Sequence, residues 1–588
     1  MLTEKIIDKI TKLYGCEQAD RIAEKLSAII DRYNSLQKAD ASDFLNERDV
    51  FLITYADTLH QPGFKPLKSL HQFVHHRLRD LISIIHILPF CPYSSDDGFS
   101  VIDYRQVNPH NGDWSHIGRL GEDFDLCFDL VLNHVSAQSR YFKGFLADDP
   151  QYQNYFIELD EHADTSGVVR PRALPLLHKY HGRAGDKWCW TTFSEDQLDF
   201  NFQNPDVFLE MLDILLFYVS QGARMIRLDA IAYLWKILGT SCVHLPQTHL
   251  MVQLMRDVLD VVAPHSLLLS ETNFPHEDNI SYFGNGRNEA QVAYNFPLPP
   301  LVLYTLITGN AEPLTKWARS IEPISDRATF LNFTASHDGI GVRPAATVLD
   351  EREFRKLIDR TTDHGGEVSY KNDQNGKPIP YELNINYYDA LNNPNDPYGD
   401  EDLDIRRFLL SQSIALVFQG IPGIYIHSLI GSRNWKDSPR LTNMPRSINR
   451  EKLDLDLLEQ QLLDDGSRRA KVFGQYTDMI RKRRAESAFH PLARQTVLDL
   501  GDEIFALVRI SDDGNEIIIA LHNVTGKQIS LTIEPELWKK KFDLSLSGQV
   551  KLTDLISGTT IELDSSGSHY SLQLAPYQFA WLKTTRSK

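Results

Sequence analysis

ARMIRLDAI (residues 223–231) is a short apolar run that carries two arginines and ends on Asp229, and its reading decides the fold. It sits between VFLEMLDILLFYVSQG (207–222) and HLMVQLMRDVLDVVAP (249–264), whose apolar residues recur at helical spacing. A strand between two helices is therefore expected. Working outward, FLITYADTL (51–59), ISIIHILPF (82–90), FDLVLNHV (128–135), SLLLSET (266–272) and ATFLNFTASHD (328–338) repeat the texture of an apolar run with a polar end. Strands alternating with helices predict a parallel sheet with helical crossovers, and this many units predict an α/β fold closed as a (β/α)8 TIM barrel. In such a barrel the chemistry sits at the C-terminal ends of the strands, here LNHVS, RLDA, SET and SHDG.

Elsewhere the texture changes. Residues 1–48 place Ile6, Ile7, Ile10, Leu13, Ile22, Leu26, Ile29, Ile30 and Tyr33 at helical spacing and read as a helical extension. The barrel is expected over 49–136 and 201–494. Residues 137–200, rich in Tyr, His, Pro and Arg with little periodicity, read as a domain inserted after the third strand, and 343–400 as a second long excursion. Long segments of this kind in a compact domain usually serve function. Over 495–588 short β-type runs separated by DDGN, TGK and SSGS predict an antiparallel β domain.

Composition narrows the partners. A formal charge of −18 argues against nucleic acid or an anionic membrane surface held through bulk charge, so an anionic ligand needs a locally built basic site. Five cysteines without CxxC or framework spacing fit a reducing compartment. MLTEKIIDKI lacks the pattern of a signal peptide, and no run has the length of a membrane helix, so a cytoplasmic location is expected.

Asp229, Glu271 and Asp338 stand at predicted strand ends. One such aspartate is ordinarily a helix cap. Three, accompanied by Arg227 and His337, suggest glycosidic-bond chemistry, in which one carboxyl is held ionised as nucleophile and another protonated as acid. Arg227 projects to the same side of its strand as Asp229 and would keep it ionised. His134 and His337 are far apart in sequence and no HxxxH or HxH spacing supports a metal site, so none is expected.

LVLNHVS, GARMIRLDAIAY, LLLSETN and TASHDGIGV resemble, in order and spacing, the four signature regions of the α-amylase superfamily, glycoside hydrolase family 13. The resemblance, from Phe51 onward, implies a barrel with an inserted domain B and a C-terminal β-sandwich. It implies Asp229 as nucleophile, Glu271 as general acid/base and Asp338 as stabiliser of the transition state. HILPFCPYSSDDGFSVIDYRQVNP, RLDAIAYLWKILGTSC, SHDGIGVRP and NINYYDAL are similar to the sucrose phosphorylase branch. That match implies a glucosyl pocket of Asp97, Phe99, His134, Gln197, Tyr233, His337 and Arg450, and phosphate binding by Arg172 and Tyr381. Phe193 and Phe99 are expected to narrow the pocket against water, with Arg227 beside the nucleophile. Inorganic phosphate is then a co-substrate and no cofactor is implied. A homodimer is one expected assembly.

Sucrose phosphorylases carry an Asp two residues before the phosphate-binding Tyr and a Gln after it; this chain has Ile379 and Glu382 there. Without that Asp a fructosyl hydroxyl loses a partner. The N-terminal extension and ETNFPHEDNISYFG (271–284) resemble the glucosylglycerate phosphorylases instead, which implies an anionic acceptor, glycerate. His276, Arg343 and Glu382, with Lys371 and Lys377, are its candidate contacts. The alternatives are sucrose or sucrose 6-phosphate phosphorolysis and, in a different class, α-glucoside hydrolysis or transglucosylation, which need no phosphate site. A non-catalytic sugar-binding protein is disfavoured by the intact triad.

Overall fold

The computed structural model describes residues 2–38, 44–172, 174–372, 377–533, 550–563 and 570–586. Eight parallel strands close into a barrel in chain order: β1 (Phe51–Thr54), β2 (Ile84–Ile87), β3 (Asp125–Val131), β4 (Ala223–Asp229), β5 (Leu267–Ser270), β6 (Val292–Tyr294), β7 (Thr329–Asn332) and β8 (Ile421–Tyr425). β1 closes the ring by pairing with both β2 and β8. Strands β6 and β8 were not legible as strands in the sequence. β6 is three residues long, and β8 contains Pro422 and Gly423, residues of poor strand propensity that barrel closure overrides.

In the parallel register Arg227 of β4 lies opposite Asp129 of β3, so both side chains enter the barrel interior on one level. This polar layer, buried among aliphatic neighbours, is what the site is built on.

Helices α1 (Glu4–Tyr14) and α2 (Cys16–Arg32) bury Ile6, Ile10, Leu13, Ile22 and Leu26 against the barrel's outer layer. Lys9 pairs with Asp257 and Arg32 with Asp213 (2.6 Å), which ties the extension to two barrel helices. The inserted domain starts where His134–Ser136 pairs antiparallel with Gln197–Asp199, and carries a three-stranded sheet of Glu158–Leu159, Gly185–Trp190 and Leu177–Gly182. At the C-terminus a six-stranded antiparallel sheet begins at Arg494, with a separate pair, Ile529–Ile533 and Tyr570–Leu574. Trp581 Nε1 donates to Ser413 Oγ (2.9 Å) and anchors this domain to the barrel.

The stretch 343–400, aperiodic to the eye, contains regular structure. Helix Glu351–Asp363 opens on a capping box of Asp350 and Glu353 and buries only Leu357 and Thr361, so its sequence shows little beyond its charge. After it, strands Glu367–Asn372 and Pro378–Asn384 form a sheet with Ile340–Gly341. This sheet stands over the C-terminal ends of the barrel strands. Among the described residues no helix is long and apolar enough to cross a membrane, and all five cysteines are free.

Candidate active site

A cleft of about 670 Å³, including its open mouth, lies at the C-terminal ends of the strands. Asp229 ends β4, Glu271 follows β5, and Asp338 lies on the segment after β7; all three line the cleft.

A relay of charges fixes Asp229. His86 on β2 bonds Asp129 (2.6 Å), Asp129 pairs with Arg227, and Arg227 Nη1 reaches Asp229 Oδ1 at 2.9 Å. Burial works against the charge on Asp129, but Arg227 and then His86 outweigh it and hold the carboxyl down at about 2. Asp129 is a charged residue inside the apolar run FDLVL, a signal that sequence reading passed over. Ala230, next to Asp229, has φ 51° and ψ 34°, which turns its N–H to Glu271 Oε2 (3.1 Å). Burial raises both Asp229 and Glu271 above the ordinary carboxylate range. Asp229 bonds the Arg227 guanidinium while Glu271 bonds the Ala230 N–H, and the guanidinium contact favours the charge on Asp229.

Asp338 behaves differently. Burial opposes its ionisation, but Arg446, with Arg450 behind it, outweighs that and holds it well below the usual range. Arg446 Nη1 lies 2.7 Å from Asp338 Oδ1. Arg446 lines the cleft and was not among the residues expected from sequence. It sits in a short turn, Pro445–Asn449, with no strand pattern to single it out.

The expected glucosyl-pocket residues divide in two. Phe99, His134, Phe193, Gln197, Tyr233 and His337 line the cleft with Arg227. Phe99 stacks on His337 (5.0 Å, 4°), and Phe193 packs against His134 and Tyr233. Burial lowers the pKa of both His134 and His337, so both rings are neutral. His337 Nδ1 and Asn273 Oδ1 are buried with no hydrogen-bond partner among the described residues, in two residues of the wall. Asp97 and Arg450 are not in the wall. Arg450 is buried under it, donating from Nε to His337 O (2.8 Å) and from Nη1 to Asp97 Oδ2 (2.7 Å), so it positions the wall, and Asp96 lines the cleft in the place expected of Asp97. Gly98 makes this turn at φ 118°, where a Cβ would come within 2.4 Å of Pro89 O.

At the mouth stand Arg172, from the inserted domain, and Tyr381. Burial, then Glu382, pushes the Tyr381 hydroxyl up to about 12, with Arg172 opposing, so it is a protonated donor. Of the acceptor candidates, Arg343 places its guanidinium 5.3 Å over Phe274, a cleft residue. His276 does not reach the cleft: its ring packs 5.8 Å from Phe330 in a separate apolar cluster. Glu382 is fully buried and bonded through both oxygens to Arg446 at 2.9 Å, so its contact is with that guanidinium and not with an acceptor. Lys371 is buried on the sheet over the cleft. Lys377 is exposed, and residues 373–376 of the same loop lie outside the described residues.

Two groups bear on metals. Asn133 Oδ1 and Asp199 Oδ2, at the strand pair that opens the inserted domain, both accept from the ammonium of Lys236, at 2.8 and 2.7 Å. One HxxxH does occur, contrary to expectation: His71 and His75 on helix α3 (Pro66–Leu78) meet Asp123, the last residue of α4 (Trp114–Asp123), in a group that could ligate an ion. Asp123 already bonds His75 (2.6 Å) and His71 (3.3 Å) and pairs with Arg79, and none of them lines the cleft.

Residues 79–336 match the family model described as the α-amylase catalytic domain. A protein from Spirochaeta thermophila named glucosylglycerate phosphorylase is 43 % identical over 592 residues, covering 100 % of this chain and 99 % of the relative. One of the same name from Allomeiothermus silvanus is 45 % identical, covering 99 % and 98 %. Among solved structures, the sucrose 6F-phosphate phosphorylase of Thermoanaerobacter thermosaccharolyticum superposes with a TM-score of 0.71 at 24 % identity, over 91 % of this chain and 100 % of that one, a likeness of fold.

Proposed function

The chain belongs to the α-amylase family, and from that premise we propose that it is a retaining glycoside phosphorylase converting 2-O-α-D-glucosylglycerate and phosphate reversibly into α-D-glucose 1-phosphate and glycerate. The observation that carries the reading is the full-length identity to relatives named for that activity. The geometry of the cleft supplies the chemistry.

Asp229, ionised beside Arg227, attacks the anomeric carbon while Glu271 protonates the departing 2-oxygen of glycerate, leaving a β-glucosyl ester on Asp229. A phosphate oxygen then attacks the same carbon from the vacated side, Glu271 recovers a proton, and the carboxylate of Asp229 departs. Two inversions give net retention. Asp338, held ionised by Arg446, faces the same cleft and would stabilise the cationic sugar ring of the transition state. Arg172 and the Tyr381 hydroxyl supply a cation and a donor for phosphate at the mouth.

The reaction needs no cofactor or metal in this reading, and the ammonium of Lys236 supports that by neutralising Asp199 beside the site. The five free cysteines support a cytoplasmic enzyme. A homodimer is the assembly proposed from the resemblance, to be checked by light scattering.

The test is release of glucose 1-phosphate when the protein is incubated with phosphate and, separately, glucosylglycerate, sucrose, sucrose 6-phosphate and glucosylglycerol. Glucosylglycerate is expected to give the highest rate. Sucrose outperforming it would overturn the reading.

A further inference from the structure

Six basic side chains stand in, beside or under the cleft, and they fall into two sets. Arg227 is matched by Asp129 and Asp229, Arg446 by Asp338 and Glu382, and Arg450 by Asp97. The other three, Arg172, Arg343 and Lys371, enter no ion pair and donate no hydrogen bond among the described residues. Lysine is rarely buried without a partner, yet Lys371 is 5 % exposed. Burial, and then the neighbouring Arg343, bring it down to about 8.

The backbone explains why these cations meet. Val342 N–H donates to Tyr381 O (3.2 Å), which sets Arg343 directly beside the phosphate-site tyrosine. Lys371 lies across the same sheet opposite Ile379, two residues before Tyr381. Arg343 also covers Phe274, and its charge, like that of Arg172, is felt by the Tyr233 hydroxyl; both aromatics line the cleft. The sheet thus brings Arg343 and Lys371 beside Tyr381 and Phe274 of the cleft wall, which Arg172 lines from the inserted domain.

We propose that Arg343 and Lys371 form an acceptor subsite for a short 2-hydroxycarboxylate, holding its carboxylate while the hydroxyl exchanges with the glucosyl group, and that Arg172 with Tyr381 serves phosphate. The inference rests on the glycerate reading above and assigns the groups that read the acid. A planar guanidinium takes both carboxylate oxygens and the ammonium adds a point charge. Glycerol has the same hydroxyl chain without the acid, so it is the informative competitor.

The test is glucosyl transfer from glucose 1-phosphate to D-glycerate and to glycerol by the wild type, Arg343→Ala, Arg343→Lys and Lys371→Met. The wild type is expected to favour glycerate. In Arg343→Ala and Lys371→Met the ratio of kcat/KM for glycerate to that for glycerol should fall about tenfold or more, the size expected for a lost charge-assisted bond, with partial recovery in Arg343→Lys. The ratio is internal to each preparation, so a loss of folded protein does not move it. A wild type that favours glycerate with both ratios unchanged overturns this assignment alone. A wild type that does not use glycerate overturns the substrate reading and this assignment with it.

Discussion

Glu382 holds Arg446 through two parallel bonds of 2.9 Å, one to Nε and one to Nη2, and so aims the remaining nitrogen, Nη1, at Asp338. A fully buried carboxylate outside the cleft wall thereby fixes the cation that keeps a wall carboxylate ionised. Glu382→Ala leaves Arg446 with Asp338 as its remaining partner. Because breaking a buried pair strands a charge, the variant should lose about 3 kcal/mol in denaturant unfolding. kcat should fall with it, while Glu382→Asp, which keeps the charge, retains more of both.

Asp229→Ala should reduce phosphorolysis by roughly 10⁴-fold or more, the loss expected of a nucleophile. The fold should survive, because Arg227 keeps Asp129 as its partner. Steady-state assay and a thermal melt on the same preparation check the two halves. Retention of more than a few per cent of activity would remove Asp229 from the nucleophile role.

Burial, and beyond it Asp338, raise the pKa of Glu271, with Arg227 opposing. The acid form is lost as pH rises through that raised value, so kcat/KM should decline on the alkaline side. Glu271→Gln should abolish that alkaline limb and cost about 10²–10⁴-fold in rate, as removal of a general acid does. A pH profile of the wild type and variant decides it; an alkaline limb persisting in Glu271→Gln would assign the titration elsewhere.

Lys236, buried between Asn133 and Asp199, puts a covalently attached cation between their oxygens. Added calcium or chelator should leave the melting temperature of the wild type unchanged. Lys236→Met strands the buried Asp199, which keeps hydrogen bonds from Asn133 and Thr192, and should destabilise by about 3 kcal/mol.

Arg172→Ala should raise KM for phosphate several-fold and spare slow hydrolysis of the glucosyl enzyme, because water needs no cation to bind. Initial rates at varied phosphate, with glucose and glucose 1-phosphate both quantified, test this. An unchanged phosphate dependence would move the anion site elsewhere on the rim.

Strand ends were legible in the sequence because they follow from local rules. An apolar run that stops at LDA, SET or SHDG places Asp229, Glu271 and Asp338 at one end of a parallel barrel whatever the rest of the chain does. The inserted domain, the extension and the β domain were expected from changes of periodicity. Which cation belongs to which anion was not. Arg446, Glu382 and Asp338 come from three separated segments, and only folding brings them within 3 Å of one another in pairs, where low polarity makes each pairing count. The same partition leaves Arg172, Arg343 and Lys371 without an ion pair among the described residues, and turns His276 to Phe330 and Glu382 to Arg446. The sequence determined the barrel and its three carboxyls, since periodicity and strand-end position are properties of neighbours in the chain. The tertiary structure decided the charge state of each carboxyl and the cations free for substrate, since those depend on neighbours in space.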